Sequence, residues 1–398
     1  MTTPSNRDLF TRIMVDMWDE REYIAADVGF QSIFGRPGSK TVFADNDEVV
    51  EIDTIKGNKE TAKLVMRGSY AQSLGSTVES LNEQKFTNLA MTFPLADERG
   101  EIGADQVLNR IAGESELNRY TKAQRAQILA MKIATEQTRR LVDLHERLAV
   151  QMVRTGKQDY ILGTSSSDLQ LDLGRTAGNT ISVSNKWNTS NGTVDADIDA
   201  GCTKVVQNGH MAPDVGIVGG GAMTALRENA DVQAVADNRR FGFIRLGVGE
   251  SAPSNLAWMV DAGFTYQGQY ITGQGRQLSI FTYDRFYESS GTATAYMTTS
   301  EMIIFSSKAR CDRYFGPSDW MPSHTAQRQF YIDVLGMDPM SIPGLNRIKN
   351  PGAAIDPRMF HHRMFPDPSN TVWTVQTQTA PLFATTHADA FAVLNTLV

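Results

Sequence analysis

TKAQRAQILAMKIATEQTRRLVDLHERLAVQMVRTG, residues 121–156, is the stretch whose reading decides this chain. Neither Gly nor Pro occurs between Gly113 and Gly156, and those two residues are the poorest helix formers. Thr121 and Gln124 have capping-box spacing, in which the Thr side chain accepts the N3 amide and the Gln reaches back. Gly156 offers a residue free to turn left-handed at the far end. The spacing predicts one helix over 121–155, roughly 50 Å long, where globular helices average about 11–12 residues. A helix of that length is a strut rather than the wall of a pocket, and it steers the reading away from enzymes.

Apolar residues recur mostly three or four apart at Ala126, Leu129, Ile133, Leu141, Leu144, Leu148 and Met152, a single stripe. The other face is basic. From Glu116 to Lys157, nine Lys/Arg (Arg119, Lys122, Arg125, Lys132, Arg139, Arg140, Arg147, Arg154, Lys157) outnumber four acids (Glu116, Glu136, Asp143, Glu146). The net is +5 in a chain whose total is −7. Such a face is either solvated surface or the place where nucleic acid or an acidic partner is met.

At 398 residues the chain is long enough for two domains. Its 41% hydrophobic and 21% charged content is ordinary for a globular protein. No run of about 18 apolar residues marks a membrane span. The N-terminal stretch carries charges within its apolar pattern, unlike a signal peptide; it reads as a short amphipathic helix with Leu9, Phe10, Ile13, Met14 and Met17 on one side. Two distant cysteines, Cys202 and Cys311, argue against a disulfide framework. A pI near 5.5 argues against a surface that is basic throughout.

Along the chain, alternation at Val50, Ile52 and Thr54 predicts a strand within 45–55. The runs AKLVM (62–66) and KFTNLAMTF (85–93) flank a small, polar middle and read as a long two-stranded arm. Such an arm cannot bury its own surface, so a neighbouring chain or the rest of the fold must complete it. Residues 160–184 read as strand, turn, strand, and 185–199 as a loop. An alternating strand–helix region begins near Ala200: a strand at 214–218, a helix from Ala222 to about Ala236, and strands around 277–283 and 301–305. Residues 320–357, rich in Pro, Gly and Met, read as an extended insertion. TVWTVQTQTAPLF (371–383) reads as a single strand returning to the first region.

Sites of chemistry are weak. GIVGGGAMTAL (216–226) sits between strand and helix, as a phosphate loop would. Thr224 stands where the third glycine of the dinucleotide fingerprint belongs, so a tight helix–strand turn is the better reading. No histidine or cysteine spacing fits zinc. Asp195, Asp197 and Asp199 begin like a calcium loop, but Ala200 and Val206 occupy its glycine and glutamate positions; they suit a helix entry instead. No catalytic, cofactor-binding or metal-ligating residue is expected, and no cofactor.

The order of parts, together with LDLGRTAGN (171–179), SKARCDRYFG (307–316) and QTAPLFATTHADAFAVLNTLV (378–398), resembles tailed-phage major capsid proteins with the HK-97 fold, in particular the lambda-type major head protein family. The resemblance implies an α+β fold. Residues 1–45 would be an N-terminal arm and 58–97 an E-loop. Residues 46–57 and 98–199 would form a P-domain around the spine helix 121–155, and 200–320 an A-domain. An insertion would span 321–357, and 358–398 a C-terminal P-domain strand and tail. It further implies self-assembly into hexamers and pentamers of an icosahedral shell around non-specifically held double-stranded DNA. The expected partners are a separate scaffolding protein, a trimeric decoration protein and a portal, with no membrane, and the expected site is a virion assembled in the host cytoplasm. Arg139, Arg140 and Arg147 would face the interior, and Arg67, Tyr70, Glu79 and Lys85 would make E-loop contacts between subunits. An encapsulin-like compartment shell is the alternative, and a nucleotide-binding enzyme on the Gly219–Gly221 turn a remote one.

Overall fold

A computed structural model describes residues 28–36, 38–44, 49–57, 84–109, 120–160, 169–189, 191–230, 232–233, 244–246, 252–289, 291–317, 359–366 and 372–397. Within them, α1 (Gln31–Gly35) and α2 (Ala104–Leu108) precede the long helix, α3 (Lys122–Thr155). The capping box is formed: the Thr121 hydroxyl accepts the Gln124 amide at 3.3 Å and the Gln124 side chain accepts the Thr121 amide at 2.9 Å. Gly156 closes the helix at φ +73°, and its amide donates to the Met152 carbonyl at 2.8 Å.

The helix is a beam laid across two sheets. Its first half rests on a three-stranded antiparallel sheet ordered β16 (His361–Pro366), β17 (Val372–Thr379), β4 (Ala96–Gly103). Ala130 and Ala134 pack there on Ile102 and Val375. The approach is close because Gly100 has no side chain: a Cβ there would lie 2.4 Å from Ile133 Cγ2.

Its second half rests on a seven-stranded mixed sheet. The order is β7 (Thr180–Ser182), β19 (Phe391–Asn395), β14 (Glu301–Phe305), β8 (Val215–Val218), β11 (Gln277–Thr282), β10 (Thr265–Ile271), β9 (Ile244–Leu246). Strand side chains alternate between faces. Val215, Ile217, Phe281, Ile303, Phe305, Phe391 and Val393 join Leu148, Ala149, Met152 and Val153 of α3 in one core. Ile280, Met302, Ile304, Ala392 and Leu394 join α4 (Val194–Gly209) and α5 (Gly220–Glu228) in a second. Cover on both faces explains why β8 and β14 are buried at every residue.

Three further groupings complete the described fold. β1 (Thr41–Phe43), β15 (Cys311–Phe315) and β18 (Pro381–Thr385) form a sheet, and α6 (Ala257–Asp261) leads into β10. The strand pairs are β2 (Val49–Gly57) with β3 (Gln84–Thr92), β5 (Lys157–Tyr160) with β6 (Leu169–Asp172), and β12 (Phe286–Ser289) with β13 (Thr292–Ala295).

Four local expectations are corrected. TVWTVQTQTAPLF is two strands in different sheets: β17 pairs with β4 as far as Thr379, and β18 pairs with β15 from Pro381. Pro381 has no amide to continue the ladder, and the Ala380 carbonyl is taken by the Gly316 amide at 2.9 Å. The partner of the 85–93 run is β2, from Val49↔Thr92 to Gly57↔Gln84; AKLVM lies outside the described residues. The helix expected to reach about Ala236 stops at Glu228. There Asn229 becomes extended, and its side chain donates to the Gly192 carbonyl at 3.1 Å. α4 starts at Val194, inside the expected loop, with Asp195 and Asp197 in its first turn. The N-terminal amphipathic pattern and the 321–357 stretch lie outside the described residues.

Candidate functional site

The outward face of α3 carries fewer charges than the sequence count, because several of them lie elsewhere. Lys122, Lys132, Arg139, Arg140 and Arg147 are exposed. Arg154 instead forms a two-pronged pair with the buried Glu301 of β14, at 2.6 and 2.5 Å. Arg125 donates to the Leu108 carbonyl at 2.9 Å and Lys157 pairs with Asp172 at 2.8 Å. Of the acids, Glu146 is buried and Asp143 is half-buried, accepting the Tyr296 hydroxyl at 2.8 Å. Glu136 is exposed, and Arg140 is shared between it at 3.3 Å and Glu98 at 3.6 Å. Among the described residues Lys132, Arg139 and Arg147 make no ion pair. They are set about 10 and 12 Å apart along the helix by separations of seven and eight residues. Of the expected E-loop contacts, Arg67, Tyr70 and Glu79 lie outside the described residues, and Lys85 is placed in β3 opposite Lys56.

Two of the quoted motifs meet at the end of this helix. Arg175, from LDLGRTAGN, donates to the carbonyls of Arg154 at 2.9 Å, Val153 at 2.8 Å and Met152 at 3.3 Å. Its Nε donates to the Ala388 carbonyl at 3.1 Å, and its guanidinium lies 5.6 Å from the centre of the Phe391 ring. The Val153 and Arg154 carbonyls are orphan acceptors of a helix C-terminus, where a cation also meets the negative end of the helix dipole. Burial pulls the Arg175 pKa down to about 10, and the nearby Asp389 carboxylate opposes that shift. Asp389 in turn accepts the Thr176 amide at 2.7 Å and its hydroxyl at 3.0 Å, while Asn179 donates to the Phe391 carbonyl at 3.1 Å. Both motifs are therefore structural knots.

Nothing in the sequence pattern singles out Glu146. Its carboxylate accepts the amides of Phe30 at 2.7 Å and Gln31 at 3.1 Å, and the Tyr283 hydroxyl at 2.5 Å. Burial pushes its pKa up to about 7, against those three donors. Its neighbour His145 pairs with the Thr379 hydroxyl at 3.1 Å and stacks on Phe360. Burial, then the Arg313 charge, holds its pKa down at about 3.

The glycine turn is filled by protein. A Cβ on Gly219 would lie 2.5 Å from the Thr298 carbonyl oxygen, and the Ala222 amide donates to the Thr299 carbonyl at 2.8 Å. The Asp284 carboxylate stands over Gly220, 3.1 Å from where a Cβ would sit, the wrong charge for a phosphate. Among the described residues no group of three or more His, Cys, Asp or Glu could hold a metal ion, and no helix is long and apolar enough to cross a membrane.

A beam helix on two sheets and an α/β unit closed by the last strand make an α+β capsid fold of the HK-97 type. A protein described as a prophage capsid protein of Escherichia coli CFT073 superposes with a TM-score of 0.60 at 16% identity, over 100% of both chains. More distant likenesses are the mature capsid of bacteriophage PhiM1 (TM-score 0.40, 9% identity, 91% of this chain and 86% of that one) and the SrpI encapsulin complex of Synechococcus elongatus PCC 7942 (0.38, 9%, 89% and 85%). No curated protein matches the sequence. Residues 40–394 match the phage major capsid protein E family, and the chain belongs to that family. Its role is structural: it is a shell subunit of a phage capsid that associates with its own kind.

Proposed function

We propose that the chain forms hexamers and pentamers of an icosahedral shell that encloses double-stranded DNA and is assembled in the bacterial cytoplasm. The observation that carries this is family membership over residues 40–394. The β2–β3 ladder supports it: its base is buried through Ile52 and Met91, but two strands alone are marginal, so the arm calls for a neighbour. In this reading residues 1–45 are the N-terminal arm, 58–97 the E-loop, 46–57 with 98–199 the P-domain, and 200–320 the A-domain. Residues 321–357 are an insertion, and 358–398 return to the P-domain as strand and tail. Arg67, Tyr70, Glu79 and Lys85 contact adjacent subunits. Arg139, Arg140 and Arg147 point inward, to a separate scaffolding protein first and to DNA later. A portal occupies one vertex, and a trimeric decoration protein reinforces the outside.

Cryo-electron microscopy of particles from cells that make the chain with its neighbouring phage proteins tests the reading. DNA-filled shells with one unique vertex are expected; closed shells carrying protein cargo and no DNA would favour the encapsulin alternative and overturn it.

A further inference from the structure

Away from the long helix, two turns from distant parts of the chain build a second basic surface. Arg36 follows α1, and its guanidinium donates to the carbonyl of Ser307, the residue before Lys308. Asp312 ties the other two cations together: it is 3% exposed and accepts the Lys40 amide at 2.8 Å and Arg310 Nε at 2.8 Å. The backbone turns at both places, the Ser39 amide donating to the Arg36 carbonyl at 3.0 Å and the Ala309 amide to the Ser306 carbonyl at 3.0 Å. Lys40, Lys308 and Arg310 are exposed and Arg36 is half-buried. Among the described residues Lys40 and Lys308 make no ion pair. The nearby Asp214 is engaged like Asp312, accepting the Ser307 amide at 2.6 Å. Four cations thus stand against two carboxylates that are already held. Val42, two residues on from Lys40, is 37% exposed.

We propose that the acidic run Asp16–Glu22 of the same chain docks on this patch. DMWDERE (16–22) carries four acids against the single Arg21, with Met17 and Trp18 among them. Exposed opposite charges attract over about 8–10 Å at physiological salt, and Val42 offers the two apolar side chains a surface to cover. A DNA backbone matches the charge but makes no use of that apolar spot. Connectivity selects the chain's own run. The six residue steps from Glu22 to Val28 span up to about 20 Å. The five-residue α1, which lies between Val28 and Arg36, is about 7.5 Å long. A short tether raises the local concentration of the run to about millimolar, far above that of a second subunit in dilute solution. Each exposed pair is weak alone, so the contact is reversible and sensitive to salt. It belongs to the free subunit and does not depend on the shell reading.

Carbodiimide cross-linking of the full-length chain at low micromolar concentration tests the docking, because it joins a carboxylate to a lysine amine in direct contact. Peptide mass spectrometry of the monomer band should find Asp16, Asp19, Glu20 or Glu22 joined to Lys40 or Lys308. The yield should fall about threefold or more as salt is raised from about 0.05 M to about 0.5 M. Asp16→Asn with Asp19→Asn, Glu20→Gln and Glu22→Gln neutralises the run without touching the described core. In that variant, acetylation of Lys40 and Lys308 by a small reagent should speed up about threefold, with Lys132 on α3 as an unchanged reference. Cross-links from the run to Lys132 or other lysines instead, cross-links confined to covalent dimers, or equal Lys308 acetylation in variant and wild type would each overturn the proposal. So would protection of Lys308 by a short DNA duplex that is as strong in the wild type as in the variant, an outcome that assigns the patch to nucleic acid.

Discussion

Arg175 is a half-buried cation whose main partners are not carboxylates but the last carbonyls of a helix. Its planar fork reaches three of them and a fourth on the Ala388 turn, a geometry a lysine ammonium cannot reproduce. Arg175→Ala takes this donor from the Val153, Arg154 and Ala388 carbonyls and opens space beside Phe391; a loss of about 3 kcal/mol is expected. Arg175→Lys should lose less, about 1–2 kcal/mol, by keeping the charge but not the fork. Urea unfolding of the soluble subunit checks both, and an unchanged midpoint for the alanine variant would refute the knot. The motif containing Arg175 was legible as a strand–turn. Its task was not, because Asp389 and the Met152–Arg154 carbonyls are far away along the chain and converge only in the fold.

At the level of elements, the long helix and its ends follow from local chemistry, and its placement on two sheets does not. Its first half seats on β4 through a missing side chain at Gly100. Gly100→Ala sets a methyl against Ile133 Cγ2, within the core of Ile102, Ala130, Ala134 and Val375. Overpacking of this kind costs typically about 1–3 kcal/mol. Differential scanning calorimetry should show a lowered transition, partly restored by adding Ile133→Val or Ile133→Ala to relieve the contact. No rescue would mean that the glycine serves the strand's backbone rather than the helix contact. The strand errors share one cause. β17 and β18 read as continuous because β17 is rich in Val and Thr, β18 carries Leu and Phe, and no Gly, Asn or Asp intervenes; only their separate partners, β4 and β15, divide them.

For the whole molecule, the exposed cations of the long helix form, among the described residues, a surface suited to a polyanion. Arg139→Glu with Arg140→Glu and Arg147→Glu replaces three positive charges by negative ones on a solvated face. Subunit stability should move little, within about 0.5 kcal/mol per site, apart from the Arg140 contacts to Glu98 and Glu136. DNA-filled heads should nevertheless fall at least tenfold, with proheads or aberrant shells accumulating, as counted on a density gradient. Wild-type yields of full heads would remove this face from the interior. Because exposed charges are screened within about 8–10 Å at physiological salt, raised ionic strength should weaken binding of the proposed scaffolding protein to the wild type more than to the variant.

By itself the sequence determined the long helix, its caps, its apolar stripe, the family motifs and the weakness of every candidate for catalysis, since each rests on neighbours within a few residues or on recurring spacing. Only the tertiary structure decided which charges of that helix belong to its surface. A helical projection places Glu146 and Arg154 by angle alone, but burial also depends on what covers that angle. Here α1 with Tyr283 lies over one and Glu301 of β14 reaches the other. Strand pairing and the Arg175 knot were settled at the same level, because contacts between residues tens to hundreds of positions apart leave no local periodicity to read.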